Sequence, residues 1–210
     1  MKKIFLLTIV LFAAFGLSGC NYNSLTAKQQ GIKGKWANVE SNLQTRNDLI
    51  PNLVEAAKMA GIQEQEVFGQ IADARSRLLN AQQSTPQGTE GDKSPEQKQA
   101  VIEANNSLGA VLGRLLVLQE NYPQLRSNES FLKLQDSIEG TERRINVARL
   151  DYNDAVTAYN TERSQFPGVL TASLFGFKEE PFFKAEEGAK TAPKINSNDL
   201  RKTTPAPANK

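Results

Sequence analysis

Apolar residues recur along this chain at alternating steps of four and three. Ile32, Trp36, Val39, Leu43, Ile50, Leu53 and Ala57 make one such row, and Arg46 takes a place in it where the pattern calls for an apolar side chain. A second row is Val67, Ile71, Ala74, Leu78 and Ala81; a third runs from Val101 through Leu108 and Leu115 to Tyr122. The fourth runs from Phe131 through Ile138, Ile145 and Tyr152 to Tyr159. These are heptad seams, the mark of helices that bury one face. No stretch alternates with period two, so no strand is predicted.

The punctuation falls between the seams. Gly61 separates the first two, and Ser84 to Ser94 is a loop of Gly, Pro and polar residues. Ser94-Pro95-Glu96-Gln97 is a capping-box start, Tyr122-Pro123 stops the third helix, and Asn128 is placed to cap the fourth. Phe166-Pro167-Gly168 ends it. Short connections between long helices predict an all-α fold, an antiparallel up-down-up-down four-helix bundle. The first and fourth helices are predicted at close to 37 residues, about 55 Å each, and the other two at about 22 and 26. The long pair therefore forms a stem, which the apolar segment from Val169 to Phe183 would cover. Residues 184–210 are rich in Lys, Pro, Thr and Asn and are predicted to form a disordered tail.

Ahead of the seams lie Lys2, Lys3 and an apolar run from Ile4 to Leu17, ending in Leu17-Ser18-Gly19-Cys20. This reads as a secretory signal over residues 1–19, and the cysteine at its end looks like a bacterial lipobox. The run of roughly 14 residues is short of the roughly 20 that span a bilayer. The alternative is an uncleaved anchor with an incidental cysteine. Cys20 is the chain's single cysteine, so no internal disulfide is possible, and acylation would both anchor the chain and remove a free thiol. Asn21 after the cysteine leans, by resemblance to lipoprotein sorting signals, toward the outer membrane where the cell has one.

Composition then narrows the chemistry. Loss of Lys2 and Lys3 leaves 23 basic and 23 acidic side chains, and a neutral chain argues against a nucleic-acid partner. The absence of histidine removes Ser-His-Asp and Cys-His catalysis and the His ligands of catalytic zinc. Gly31-Ile32-Lys33-Gly34-Lys35 lacks phosphate-loop spacing. No cofactor and no enzymatic activity are expected, although carboxylate chemistry leaves no sequence signature to judge.

Four features admit a structural or a functional reading. Pro51 deprives the Asn47 carbonyl of its helical hydrogen bond. Arg46, beside it on the seam, is expected to pair with Glu142 on the fourth helix, or with Glu139 one turn away; alternatively it lines a polar ligand site. Tyr152-Asn153 and Tyr159-Asn160 recur seven residues apart, as stem packing or as an aromatic stripe for a partner. Gly109 and Gly113 resemble a membrane dimer motif, but the apolar stretch is short and Arg114 follows, so close helix packing inside the bundle is expected. Phe175, Phe177, Phe182 and Phe183 are read as packing ahead of insertion into the membrane, or, with Tyr152 and Tyr159, as a partner surface near it.

Together these pieces resemble the LemA family across roughly Tyr22 to Phe183. The matching stretches are Tyr22-Asn23-Ser24-Leu25, Arg46 to Val54, Ala72-Asp73-Ala74-Arg75, Glu120-Asn121-Tyr122-Pro123 and Ala148 to Val156 with Tyr159-Asn160. The closing Phe-Pro-Gly to Phe-Phe stretch completes the set. The resemblance implies an antiparallel four-helix bundle, residues 20–183, attached to the bacterial envelope, with no established enzymatic activity. Relatives often carry an N-terminal transmembrane helix, from which the lipobox departs. The expectation is a lipid-anchored, non-enzymatic scaffold or adaptor for other envelope proteins, facing the periplasm or the cell exterior. The alternative is a binding module for a small polar ligand or peptide near Arg46.

Overall fold

The structure, a computed structural model, describes residues 2–84, 93–122, 125 and 127–183, with side chains from Asn21 onward except at positions 116 and 118–121. Five helices and no strand occur among these residues: α1 (Lys2–Met59), α2 (Gln65–Gln83), α3 (Pro95–Asn121), α4 (Glu129–Ser164) and α5 (Gly168–Phe175). The expected loop between α2 and α3 and the tail after residue 183 lie largely outside the described residues.

Of the four long helices, α1 departs most from expectation. It spans 58 residues instead of about 37, with no proline between the apolar run and Tyr22 to stop it. Gly61 ends it at φ +86°, a conformation open to glycine, and Ile62 N–H reaches back to the Ala57 carbonyl at 3.2 Å. The start of α3 is a reciprocal capping box: Ser94 N–H donates to Gln97 Oε1 at 2.8 Å and Gln97 N–H to Ser94 Oγ at 3.3 Å. Asn128 caps α4 by accepting from Phe131 N–H at 3.0 Å. Gly168 is needed for space: a Cβ there would lie 2.0 Å from the Glu162 carbonyl oxygen.

The seam residues form one core, from Leu25 on α1 to Leu78, Leu108 and Tyr159 on the others. α1 packs along α4, and α2 along α3. Partners descend along α4 as α1 ascends: Lys28 with Glu162 at 2.7 Å, Lys35 with Asp151 at 2.8 Å, then Arg46 with Glu142. Likewise Tyr122 reaches Glu64, and Arg114 reaches Gln70. α5 packs on both α1 and α4. Among the described residues no helix is long and apolar enough to cross a membrane.

Candidate functional site

Arg46 is buried at the junction of three helices. Its Nη1 donates to the Glu142 carboxylate of α4 and its Nη2 to Asn105 Oδ1 of α3, while Nε has no partner. Its position on the apolar seam drives the guanidinium inward, and the two acceptors make that burial tolerable. Glu142 keeps 37% of its side chain exposed, so the pair has one dry end and one wet end. Glu139 lies one turn away and faces Arg143 at 3.8 Å.

Next to Arg46, Asn47 shows what Pro51 costs the helix. The carbonyl that Pro51 cannot serve accepts a hydrogen bond from Arg75 Nε of α2 at 3.1 Å. The Asn47 side chain donates to Gln82 Oε1 at 3.1 Å. A helix irregularity in α1 thereby becomes the seat of α2.

α3 and α4 leave a cleft of about 340 Å³ between them, floored by Arg46 and Leu53 of α1. Asn105, Asn106, Gln135, Glu139 and Glu142 line its polar part; Leu112, Leu115 and Ile138 line the rest. Gly109 and Gly113 face it, and a Cβ at Gly113 would meet nothing within 4 Å. The expectation of close helix packing is corrected at Gly113, where the missing side chain leaves open space. The buried Oε1 of Gln135 has no hydrogen-bond partner. The arrangement can accept a molecule with one polar and one apolar end. Among the described residues no group of three or more Asp, Glu, Cys or His side chains is placed to hold a metal ion.

The second arrangement is a strap. Residues 177–183 run without helix along α4, held by the two Tyr-Asn pairs. Tyr152 and Tyr159 donate their hydroxyls to the carbonyls of Pro181 and Lys178, each at 2.9 Å. Asn153 donates to the Phe183 carbonyl at 3.0 Å and accepts from Phe183 N–H at 2.9 Å. Asn160 repeats this on Glu180, at 2.9 and 3.1 Å. Each asparagine amide thus pairs with the backbone as a neighbouring strand would. Seven helical residues rise about 10.5 Å and three extended residues span about 10 Å. The seven-residue repeat therefore sets a three-residue register in the strap.

The strap closes a sequestered charge pair. Lys98 of α3, 1% exposed, meets Glu180, 4% exposed, at 2.7 Å. Lys98 Nζ also lies 5.9 Å from the Trp36 ring, and Phe183 stacks on Trp36 at 5.7 Å. Sequence reasoning missed this pair. The available signal was Lys98, which lies three residues before Val101 and so extends the third seam.

Burial pushes the Tyr159 phenol up to about 12 and that of Tyr152 higher still, with the nearby Glu180 charge acting in the same direction. Burial also opposes ionisation of Glu162, but hydrogen bonds from Lys28 and Ser24 outweigh it and hold that carboxyl below its ordinary value.

Of the residues singled out by sequence, Arg46 and Glu142 are brought together. Tyr152, Tyr159 and Phe183 are buried, which takes them off the exposed surface; the strap covers the tyrosines, and its own Phe183 packs inward on Trp36 and Tyr152. Phe177 and Phe182 are half-buried, and Phe175 is exposed. The side chain of Cys20 lies outside the described residues.

The sequence pattern of the LemA family matches residues 35–196. The chain is also similar to magnetosome proteins MamQ 1 and MamQ 2 of Paramagnetospirillum magneticum, each 28% identical over 203 residues. The magnetosome protein MamQ of Magnetospirillum gryphiswaldense is 25% identical over the same length. In all three cases the alignment covers 91% of this chain and 74% of the relative.

Proposed function

The chain belongs to the LemA family, and on that footing we propose that it is a membrane-anchored, non-enzymatic helical scaffold of the bacterial envelope. The body is an antiparallel up-down-up-down four-helix bundle with α1 and α4 as its long members, a reading supported by the descending order of ion-pair partners. The observation that carries the proposal is that α1 runs unbroken through Cys20 into the packed core. Cleavage before Cys20 and acylation of its thiol would leave the lipid two residues from Tyr22, with no flexible joint before the body. A rod held that way presents its surfaces at a set height above the membrane, where an envelope or membrane protein can reach them. Asn21 favours the outer membrane where there is one. The neutral mature charge favours a protein partner over nucleic acid. Cys20→Ala should leave an unprocessed precursor; normal processing of that variant would overturn the lipid anchor.

The cleft at Arg46 favours a second reading, a binding module for a small polar ligand or peptide. Gly113→Leu separates the two, because it fills the cleft with an apolar side chain where a Cβ meets nothing. A full-length Gly113→Leu variant that folds and complements a deletion strain supports the scaffold. Loss of complementation by a well-folded variant supports the ligand site.

A further inference from the structure

α5 carries its amphipathic pattern inside out. It buries Gly168, Thr171 and Ala172, which are small or polar, and exposes Val169, Leu170, Leu174 and Phe175. Phe166, just before it, is 81% exposed. A surface helix of a water-facing body shows the opposite pattern. Elsewhere Met59 and Val117 are exposed singly and Val147 and Leu150 as a pair one turn apart on α4, which is ordinary. The concentration around α5 is not.

The place of this patch identifies its occupant. Tyr22 of α1 lies against Phe175 and Phe177, with ring centroids 4.8 and 5.6 Å apart. From Tyr22, α1 continues toward Lys2 through the apolar stretch Ile4–Leu17. The patch therefore sits at the end of the body that carries Cys20, where the lipid of the anchored reading would lie. The charges around it are paired: Lys28 with Glu162, Arg163 with Glu179, Lys178 with Glu96. Such a rim does not select anionic headgroups, so apolar burial is left as the attraction.

We infer that α5 and Phe166 form a membrane-interface element, with the Leu170 and Leu174 face lying at the boundary of acyl chains and headgroups. This rests on the membrane-anchored reading and adds to it a second point of attachment. A body held by lipid alone swivels; one also docked through α5 has a defined tilt.

The test uses the full chain, purified from membranes and reconstituted into vesicles of phosphatidylcholine, with and without phosphatidylglycerol. Leu170→Cys and Leu174→Cys carry a nitroxide label, as does Met59→Cys at the far end of α1; the parent chain supplies the blank for Cys20. Flotation with the vesicles reads the anchor, and relative accessibility to oxygen and to a nickel chelate reads depth. The expected oxygen-to-nickel ratio at positions 170 and 174 is about tenfold that at position 59, in both lipid mixtures. A chain that floats while all three labels are equally open to nickel overturns the docking of α5 and leaves the anchor standing. A chain that does not float overturns both. Labels shielded from both reagents only at high protein-to-lipid ratio would make a second copy the occupant, which also overturns the inference.

Discussion

Arg46 and Glu142 are unequal partners, and the inequality is measurable. Removing Glu142 strands a buried guanidinium that Asn105 alone must satisfy, whereas removing Arg46 leaves a carboxylate already open to water. Glu142→Ala should therefore cost about 3 kcal/mol, in the range for a broken buried pair, and Arg46→Met distinctly less. Urea unfolding of both variants decides it; equal costs would contradict the one-sided burial. Arg75 offers a sharper case. Its bond to the Asn47 carbonyl exists because Pro51 has no N–H to give. Arg75→Ala should cost about 1.5–3 kcal/mol, as for a hydrogen bond involving a charged group. In a Pro51→Ala background the alanine N–H takes over that carbonyl, and the same change should cost clearly less. Additive costs in this cycle would show that the carbonyl is not what Arg75 serves.

At the level of elements, the strap is held by side chains that imitate a strand. Asn153→Ala and Asn160→Ala each remove two hydrogen bonds while leaving α4 intact as a helix. In hydrogen exchange, the amides of Phe183 and Glu180 should then lose protection, whereas those inside α4 should not. Unchanged exchange at both amides would mean that something other than the asparagines holds the strap. The tyrosines give this element a pH dependence. Tyr159 is neutral in the fold up to about 12 but ionises near 10 once released. Its contribution is present in full below pH 10 and is lost as pH rises toward 12, since the unfolded chain gives up that proton first. An absorbance titration of the phenols should show a late-titrating group, and strap protection should fall over the same interval. Completion of the titration near pH 10 would contradict the burial.

At the level of the whole molecule, the helices form two close pairs, and the cleft between α3 and α4 is the gap those pairs leave. Gly113 sits beside that gap in a helical stretch with room for a Cβ. Gly113→Ala should stabilise the protein, by up to about 1 kcal/mol from helix propensity. A raised urea midpoint checks it; a loss of more than about 1 kcal/mol would mean that the glycine is needed for packing after all. A stabilising substitution that sequence has not adopted would point to use of the open space.

The chain's own sequence determined what depends on neighbours a few residues apart. The four seams, the capping box at Ser94, the Asn128 cap and the stop at Gly61 are local, because helical periodicity and capping involve only residues one or two turns away. Counting from the helix ends also sets Glu142 level with Arg46, and the two meet in the fold. What required the tertiary structure depends on distances between segments. Gly113 reads in sequence as part of a tight crossing and proves to face an opening, since sequence records the missing side chain and not how near the next helix comes. The strap has no periodicity of its own; its register is written in the Tyr-Asn repeat of another element and appears only when the two lie together. Lys98 and Glu180 are 82 residues apart, and nothing local distinguishes them from solvated charges. Their pairing is a product of burial, which only the assembled helices impose.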